Sequence, residues 1–352
     1  MFQFRPALKT WCRQYHQRYV ADTKVTILNA CSSTGTYLSL LLKQSPHVGE
    51  LRLFDNKCSV CNIAEDLSHI DTSAQVSSFE GAKVLKDSIL DSDVVVTVGG
   101  DKRLPGETQE FLFMKNWQDV LESAKLMAKH NPNGMFCVAR PPVEALVPMV
   151  CKEYTRNGIY GSKNIFGVTS TASMISHSII AKLTNENPFN VLCPIVGGLN
   201  SQCLVGVLSQ ARPKNLPLKT IVTQKLISRA EDDVLHAHNR KESMSLAHAL
   251  GISRFVNTLL RAIQGDENCI ECCFVRQTGK IETILPYMTS VVRLCKDGVS
   301  SIHFPSINRD EEIRLQKATA YMKKLIHLGE QVVLTKLESK SDTRKSDDSK
   351  SM

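Results

Sequence analysis

No stretch of the sequence reaches the roughly 20 consecutive apolar residues that a membrane-spanning helix requires. The N-terminal region lacks the continuous apolar segment of a secretory signal. The chain also lacks a stripe of basic residues of the kind that binds nucleic acid. We therefore expect no membrane span, no secretion and no nucleic-acid partner.

The composition is that of a folded protein with a substantial interior. The chain has 352 residues, of which 42% are hydrophobic, enough for one large or two smaller domains. Twelve cysteines are spread through it, and without a secretory signal they are expected to be reduced thiols. Cys58/Cys61 and Cys269/Cys272 have metal-like spacing, but the two pairs lie far apart and no histidine pair follows. We interpret them as small apolar side chains rather than zinc ligands.

The two ends of the chain differ from its middle. Residues 1–21 contain basic but no acidic residues, with aromatic and apolar residues interleaved, which predicts a mitochondrial targeting segment. An ordinary N-terminal arm is the alternative. Residues 338–352 are mostly Ser, Lys and Asp and have little to bury, so a disordered polar tail is expected there.

Alternating strand and helix patterns fill residues 22–166. Short β-branched or apolar runs predict strands, and the longer segments between them predict helices. This order predicts an α/β fold with a doubly wound parallel sheet that forms a dinucleotide-binding domain. The predicted strands are Lys24–Leu28, Leu51–Phe54, Asp93–Val98 and Met135–Val138, and the helices are Thr34–Gln44, Ser59–Leu67, Thr108–His130 and Val143–Asn157.

The pattern changes in residues 167–337, where long helices and antiparallel strands predict an α+β substrate domain. The predicted helices are Thr171–Leu183, Thr223–Leu250, Arg254–Gln264 and Asp310–Thr335, and the strands are Leu192–Val196, Cys269–Arg276 and Thr283–Leu294.

Four sequence strings resemble the mitochondrial-type malate dehydrogenases, in the same order along the chain. They are Leu38–Lys43 (LSLLLK), Asp66–Ile70 (DLSHI), Ile165–Thr169 (IFGVT) and Pro194–Gly198 (PIVGG). The resemblance covers about residues 24–337 and implies a Rossmann-type NAD domain followed by a substrate domain. It also implies NAD-dependent interconversion of malate and oxaloacetate in the tricarboxylic acid cycle, a function that has to be argued from the site itself.

The cofactor end of the implied site has lost part of its glycine loop. The family pattern G-x-x-G-x-x-G falls on Asn29, Ser32 and Gly35, so only the last glycine is kept. Side chains at the first two positions would hinder the approach of a pyrophosphate. Asp55 matches the ribose carboxylate and Asn116 an asparagine beside the nicotinamide-side ribose. We expect NAD binding to be weak or lost.

The catalytic end has lost nearly every functional side chain that the resemblance implies. The proton-transferring histidine falls on Leu199 and the aspartate that orients it on Ala172. Of the substrate-binding residues, Arg103 is retained. The other substrate positions are Gln109, Pro141 and Ile175, and a Gly/Ser cluster is replaced by residues 238–241. Loss of a general base alone costs ~10²–10⁴ in rate, so we predict an inactive protein.

Two histidines could in principle replace the missing base. His177 lies on the same predicted helix as Ile175, and His69 belongs to the DLSHI string. A lone helical histidine is more often structural, and a base must lie within hydrogen-bond reach of its proton. Lys102, Arg103 and Arg140 could form a basic pocket for an anion, although solvated surface charge is an equal alternative.

The primary expectation is therefore a malate dehydrogenase-like pseudoenzyme of the mitochondrial matrix with a structural or regulatory role. The helix around Asp66–Ile70 lies in the family's subunit contact, so we expect a homodimer or a heterodimer with an active malate dehydrogenase. A working NAD-dependent malate dehydrogenase with an atypical site is one alternative. A non-catalytic anion or nucleotide binder is the other.

Overall fold

The structure is a computed structural model that describes most of the chain. The predicted targeting segment falls outside the described residues except for Ala21, as do Cys58 and residues 239–241. The described ranges are 21–56, 59–104, 106–214, 216–238 and 244–348.

Six parallel strands form the first part of the sheet, in the order β3-β2-β1-β4-β5-β6. The strands β4 and β5 are apolar and wholly buried because helices cover both faces of the sheet. The order reverses between β1 and β4, so the cleft at the carboxyl ends of these two strands is the place where this fold binds ligands. The strands are β1 (Lys24–Leu28), β2 (Glu50–Asp55), β3 (Gln75–Glu80), β4 (Val94–Thr97), β5 (Met135–Val138) and β6 (Ile165–Val168).

The connections between these strands are helical. Local sequence explains where the longest of these helices, Gln109–His130, begins and ends. The Thr108 hydroxyl accepts a hydrogen bond from the Phe111 amide at its start, and Lys129 and His130 occupy its last turn. The helices are α1 (Ser33–Lys43), α2 (Cys61–Ser68), α3 (Leu85–Ile89), α4 (Gln109–His130) and α5 (Val143–Arg156).

The second half of the chain extends the same sheet instead of forming a separate one. Beyond β6 the order continues as β9-β10-β7-β8, with β11 paired to β10, and every pairing there is antiparallel. The elements are α6 (Ser170–Thr184), β7 (Ile195–Gly197), β8 (Leu204–Gly206), α7 (Thr220–His238), α8 (Ser245–Ile263), β9 (Ile270–Arg276), α9 (Lys280–Ile284), β10 (Tyr287–Cys295), β11 (Gly298–His303) and α10 (Arg309–Asp348). The predicted α/β class, a doubly wound sheet followed by an α+β part, is confirmed.

Several predicted elements need correction. The helix predicted for Thr223–Leu250 is two helices, and its C-terminal part joins the segment predicted as Arg254–Gln264 in α8. The residues 280–284 form α9, so β10 begins four residues later than the predicted Thr283 start. Helix α10 continues to Asp348, where composition predicts a disordered tail. Periodicity did not reveal the break between α7 and α8 because the apolar pattern runs through it.

The helices α5 and α10 pack at very short range. Gly329 of α10 is buried against Ala145, and a Cβ at Gly329 would lie 2.0 Å from the Ala145 carbonyl oxygen. A glycine is therefore required for this close approach. The contact matters for the cleft because α5 carries the residues at its floor.

We predict that Gly329→Ala lowers the free energy of unfolding by about 1–3 kcal/mol, because the helices must separate. This loss would outweigh the ~1 kcal/mol gained from alanine's higher helix propensity. Denaturant titration followed by circular dichroism measures the change. Gln316→Ala, at an exposed position of the same helix, should stay within about 0.5 kcal/mol of the parent. A more stable Gly329→Ala protein would contradict the packing described here.

Candidate functional site

The loop between β1 and α1 satisfies its own hydrogen-bonding groups. Asn29 adopts a positive φ of 70°, a conformation that asparagine tolerates. The Ser32 hydroxyl donates to the Asn29 carbonyl (2.8 Å) and accepts from the Gly35 amide (3.1 Å). An internal side chain thus caps the helix N-terminus, where amide groups of this fold receive a phosphate.

Ser32 also occupies the space between this loop and the end of β4. A Cβ placed on Gly99 would lie 2.5 Å from the Ser32 hydroxyl oxygen, so the two segments are in close contact. At Gly35 a Cβ would lie 2.6 Å from the carbonyl oxygens of Asn29 and Ala30, which explains the need for glycine there. The loop is therefore well packed without a ligand.

The two polar residues predicted to contact riboses have internal partners. Asp55 ends β2, is only 5% exposed, and accepts from the Cys31 amide at 3.0 Å. Asn116 donates its amide to the carbonyl oxygens of Asp101 and Pro141, both at 2.8 Å, and accepts from the Asp101 amide. Asn116 thus braces the loop after β4, and Asp55 holds the loop after β1.

Arg140 is buried and is not among the residues that line the cleft. It is 3% exposed and donates to the Asp119 carboxylate at 3.2 Å. With the Asn29 amide turned to satisfy its neighbours, the Asn29 oxygen accepts from the Gly100 amide and from Arg140. Arg140 therefore ties the loop of α1 to α4, and the basic pocket considered for Lys102, Arg103 and Arg140 does not form around one cavity.

A cleft of about 1330 Å³, including the part open to solvent, lies beside this loop at the end of the parallel strands. The structure brings together here the residues at the implied catalytic and substrate positions. Leu199 packs against two buried apolar clusters. The predicted residues that line the cleft are Arg103, Gln109, Pro141, Ala172, Ile175 and Leu199.

Glu144, which sequence analysis missed, holds the turn that carries Leu199. Its side chain is 1% exposed and belongs to the first turn of α5. The Oε1 atom accepts from the amides of Leu199 (2.7 Å) and Asn200 (3.1 Å), from the Asn200 side chain (3.0 Å) and from the Cys203 thiol (3.3 Å). A buried carboxylate needs such donors, and this one fixes the turn in place.

The retained arginine is already paired within the chain. Arg103 forms a salt bridge with Asp232 of α7, and both side chains are mostly shielded from solvent. Beside it, Lys102 donates to the Ser245 hydroxyl at 2.8 Å. Asp232 therefore competes with an anionic substrate for this guanidinium.

A histidine that sequence analysis also missed lies at the cleft. His248 of α8 contacts the Glu231 carboxylate of α7 at 3.1 Å, and both line the cleft. In one continuous helix over residues 223–250, positions 17 apart would be separated by roughly 25 Å. The break between α7 and α8 brings them together, so its detection would have been the signal for this pair.

Neither histidine considered as a replacement base belongs to the cleft lining. His177 accepts a hydrogen bond from the Cys193 amide at 3.2 Å. Burial lowers the pKa of His177, and the positive charge of Arg254 adds to this effect. His69 is exposed at the end of α2, where its ring contacts the Glu65 carbonyl. Both histidines therefore make contacts outside the cleft, as structural residues do.

Burial raises the pKa of Cys272 and, together with the nearby Asp266 carboxylate, that of Cys269. Among the residues that the structure describes, no three His, Cys, Asp or Glu side chains are grouped to hold a metal ion. No described helix is long and apolar enough to cross a bilayer.

Comparison with known proteins agrees with this architecture. A model of the lactate/malate dehydrogenase NAD-binding domain matches residues 23–167. The mitochondrial malate dehydrogenase of Felis catus is 34% identical over 333 residues, which cover 94% of this chain and 97% of the relative. The human mitochondrial enzyme is 32% identical over 335 residues, covering 94% and 98%. The solved malate dehydrogenase of Picrophilus torridus has a TM-score of 0.77 at 18% identity, covering 89% of this chain and 99% of that one.

The fold and the cleft define a lactate/malate dehydrogenase-type protein, with an NAD-binding domain of that family. Within this class, the identity to the mitochondrial enzymes over nearly the whole chain shows that it belongs to the malate dehydrogenase family, as a divergent member.

We predict that Glu144→Ala lowers the free energy of unfolding by about 3 kcal/mol. The substitution leaves the buried donors of Leu199 and Asn200 without an acceptor, and each unsatisfied group costs about 1–3 kcal/mol. Thermal and denaturant unfolding provide the measurement. Glu231→Ala removes a half-exposed carboxylate and should cost less than ~1 kcal/mol. Equal losses in the two variants would refute a special role of Glu144.

A second prediction concerns the stability of the protein at acidic pH. Because burial holds the pKa of His177 below its unfolded value, the native state resists the proton that the unfolded state accepts. This source of instability is absent above the unfolded pKa of about 6.5 and grows as the pH falls below it, by at most ~1.4 kcal/mol per pH unit. His177→Gln should show a shallower loss of stability between pH 6.5 and roughly 5, whereas Gln316→Ala, which removes no titratable group, should follow the parent. A slope unchanged by His177→Gln would disprove this contribution.

Proposed function

We propose that this chain is a non-catalytic member of the malate dehydrogenase family. The observation that carries the proposal is Leu199, a hydrocarbon side chain at the implied position of the proton-transferring group, packed into apolar clusters. Hydride transfer to oxaloacetate needs a proton donor within hydrogen-bond reach of the carbonyl oxygen. Ala172 and Ile175, which also line the cleft, supply none.

The charge of the cleft supports the same proposal. Substrate carboxylates are best held by bidentate guanidinium groups. Only Arg103 remains of the implied substrate-binding set, and Asp232 neutralises it. Gln109 and Ile175 add no positive charge, so a dicarboxylate would be desolvated without adequate compensation.

Weak or lost NAD binding is part of the proposal. The bound cofactor would supply the hydride, with Asp55 holding a ribose and the α1 N-terminus the pyrophosphate. Asp55 and Gly35 fit this role, but the Ser32 hydroxyl already caps the helix and its side chain lies against Gly99. Cofactor binding would disrupt the close contact between Ser32 and Gly99.

The proposed role is structural or regulatory, as a dimer in the mitochondrial matrix. The mitochondrial relatives and the basic, acid-free residues 1–21 support the location. Exposed apolar side chains on α7 and α8, including Ile221, Leu226 and Leu246, support association with a second subunit. That subunit is a second copy or an active malate dehydrogenase. We assign residues 22–166 to the dinucleotide domain and 167–337 to the second domain.

Steady-state NADH oxidation by the purified chain with oxaloacetate tests the proposal. We expect turnover more than ~100-fold below the roughly 1–10³ s⁻¹ of ordinary enzymes. NADH should give no stabilisation at concentrations that saturate an active homologue. Turnover in the ordinary range would overturn the proposal. Co-purification with an active malate dehydrogenase would favour the heterodimer over the homodimer.

A second candidate function is an NAD-dependent dehydrogenase with an atypical site. It rests on the contact between His248 and Glu231, which resembles the histidine–carboxylate pairing of a general base. If this pair is catalytic, wild-type turnover must be measurable and His248→Asn must lower it by ~10²-fold or more. Any residual turnover that His248→Asn leaves unchanged rules this candidate out.

A further inference from the structure

The inner part of the cleft contains an acidic group in apolar surroundings. All four hydrogen bonds to Glu144 reach Oε1, and no described residue donates to Oε2. No salt bridge joins Glu144 to a described cation. Glu144 lines the cleft, so a ligand that brings a donor to Oε2 would add a hydrogen bond to this carboxylate.

The walls around this carboxylate are hydrocarbon. They come from different helices and loops and line the same cleft as Glu144. The walls include Ala172, Ile175, Leu199, Leu204, Ile227 and Ile252.

Two pairs account for most of the other charged side chains that line the cleft. Arg103 is neutralised by Asp232, and His248 is in contact with Glu231. Lys102 donates to the Ser245 hydroxyl. No described cation forms a salt bridge with Glu144, whose charge is of the opposite sign to that needed for a dicarboxylate.

We propose that this cleft binds an organic ammonium compound with an apolar body. The ammonium group donates to Glu144 Oε2, and the hydrocarbon part covers Leu199, Ile175 and Ile227. The proposal rests on the loss of the family's substrate chemistry proposed above and adds the class of ligand that replaces it. Charge and burial both favour a cation, because an ionised partner makes a stronger hydrogen bond than a neutral one.

Calorimetric titration of the full chain with n-hexylammonium, hexan-1-ol and hexanoate tests this assignment at equal chain length. We expect n-hexylammonium to bind at least ~10-fold more tightly than either of the others, given the strength of charged hydrogen bonds. Glu144→Gln keeps an acceptor for the Leu199 turn but removes the charge, and should weaken n-hexylammonium binding by about 10-fold. Glu231→Gln, the matched control at the cleft mouth, should change it less than ~2-fold.

A variant elsewhere in the cleft keeps the test decisive if Glu144→Gln does not fold. Ile175→Arg adds a cation to the apolar wall, and should weaken n-hexylammonium binding while hexanoate binding becomes detectable. Equal binding of n-hexylammonium and hexanoate, or equal effects of Glu144→Gln and Glu231→Gln, would overturn the proposal. An absence of n-hexylammonium binding would also overturn it, and would leave the oxaloacetate test of catalytic inactivity unaffected.

Discussion

The buried carboxylate of Glu144 is the interaction on which the cleft depends. It accepts four hydrogen bonds through one oxygen, two of them from consecutive backbone amides of the turn after β7. That turn presents Leu199 to the cleft, and α5, which carries Glu144, is held by its close contact with α10 at Gly329. The position that would hold a catalytic base is thus fixed rigidly, but with a side chain that cannot transfer a proton.

The other polar groups of the site also form hydrogen bonds or ion pairs within the chain. Ser32 caps the helix that would receive a phosphate, Asn116 braces a loop, and Asp232 neutralises Arg103. In a catalyst these groups would be held ready for cofactor and substrate at some cost in stability. Here they stabilise the ligand-free fold. The family architecture is retained because its core is independent of the chemistry of the cleft.

The sequence was informative where local patterns determine structure. Apolar runs located four of the six parallel strands, and the predicted bounds of Met135–Val138 are those observed for β5. It failed where distant residues meet: the contact of His248 with Glu231 requires the break between α7 and α8, which an uninterrupted apolar pattern conceals. Periodicity likewise gave no indication that Glu144 would be buried or that Arg103 would find Asp232, because both depend on tertiary packing.

The proposal of inactivity depends on Leu199, which leaves no proton-transferring side chain at the position where the family resemblance implies one. A single-turnover experiment tests this loss of catalysis. The protein is in large excess over NADH, and oxaloacetate is added at a saturating concentration, so that slow product release cannot mask the chemical step. We expect NADH absorbance to persist over a time in which an active homologue consumes all of its cofactor. Rapid and complete oxidation of the NADH in the first turnover would contradict it.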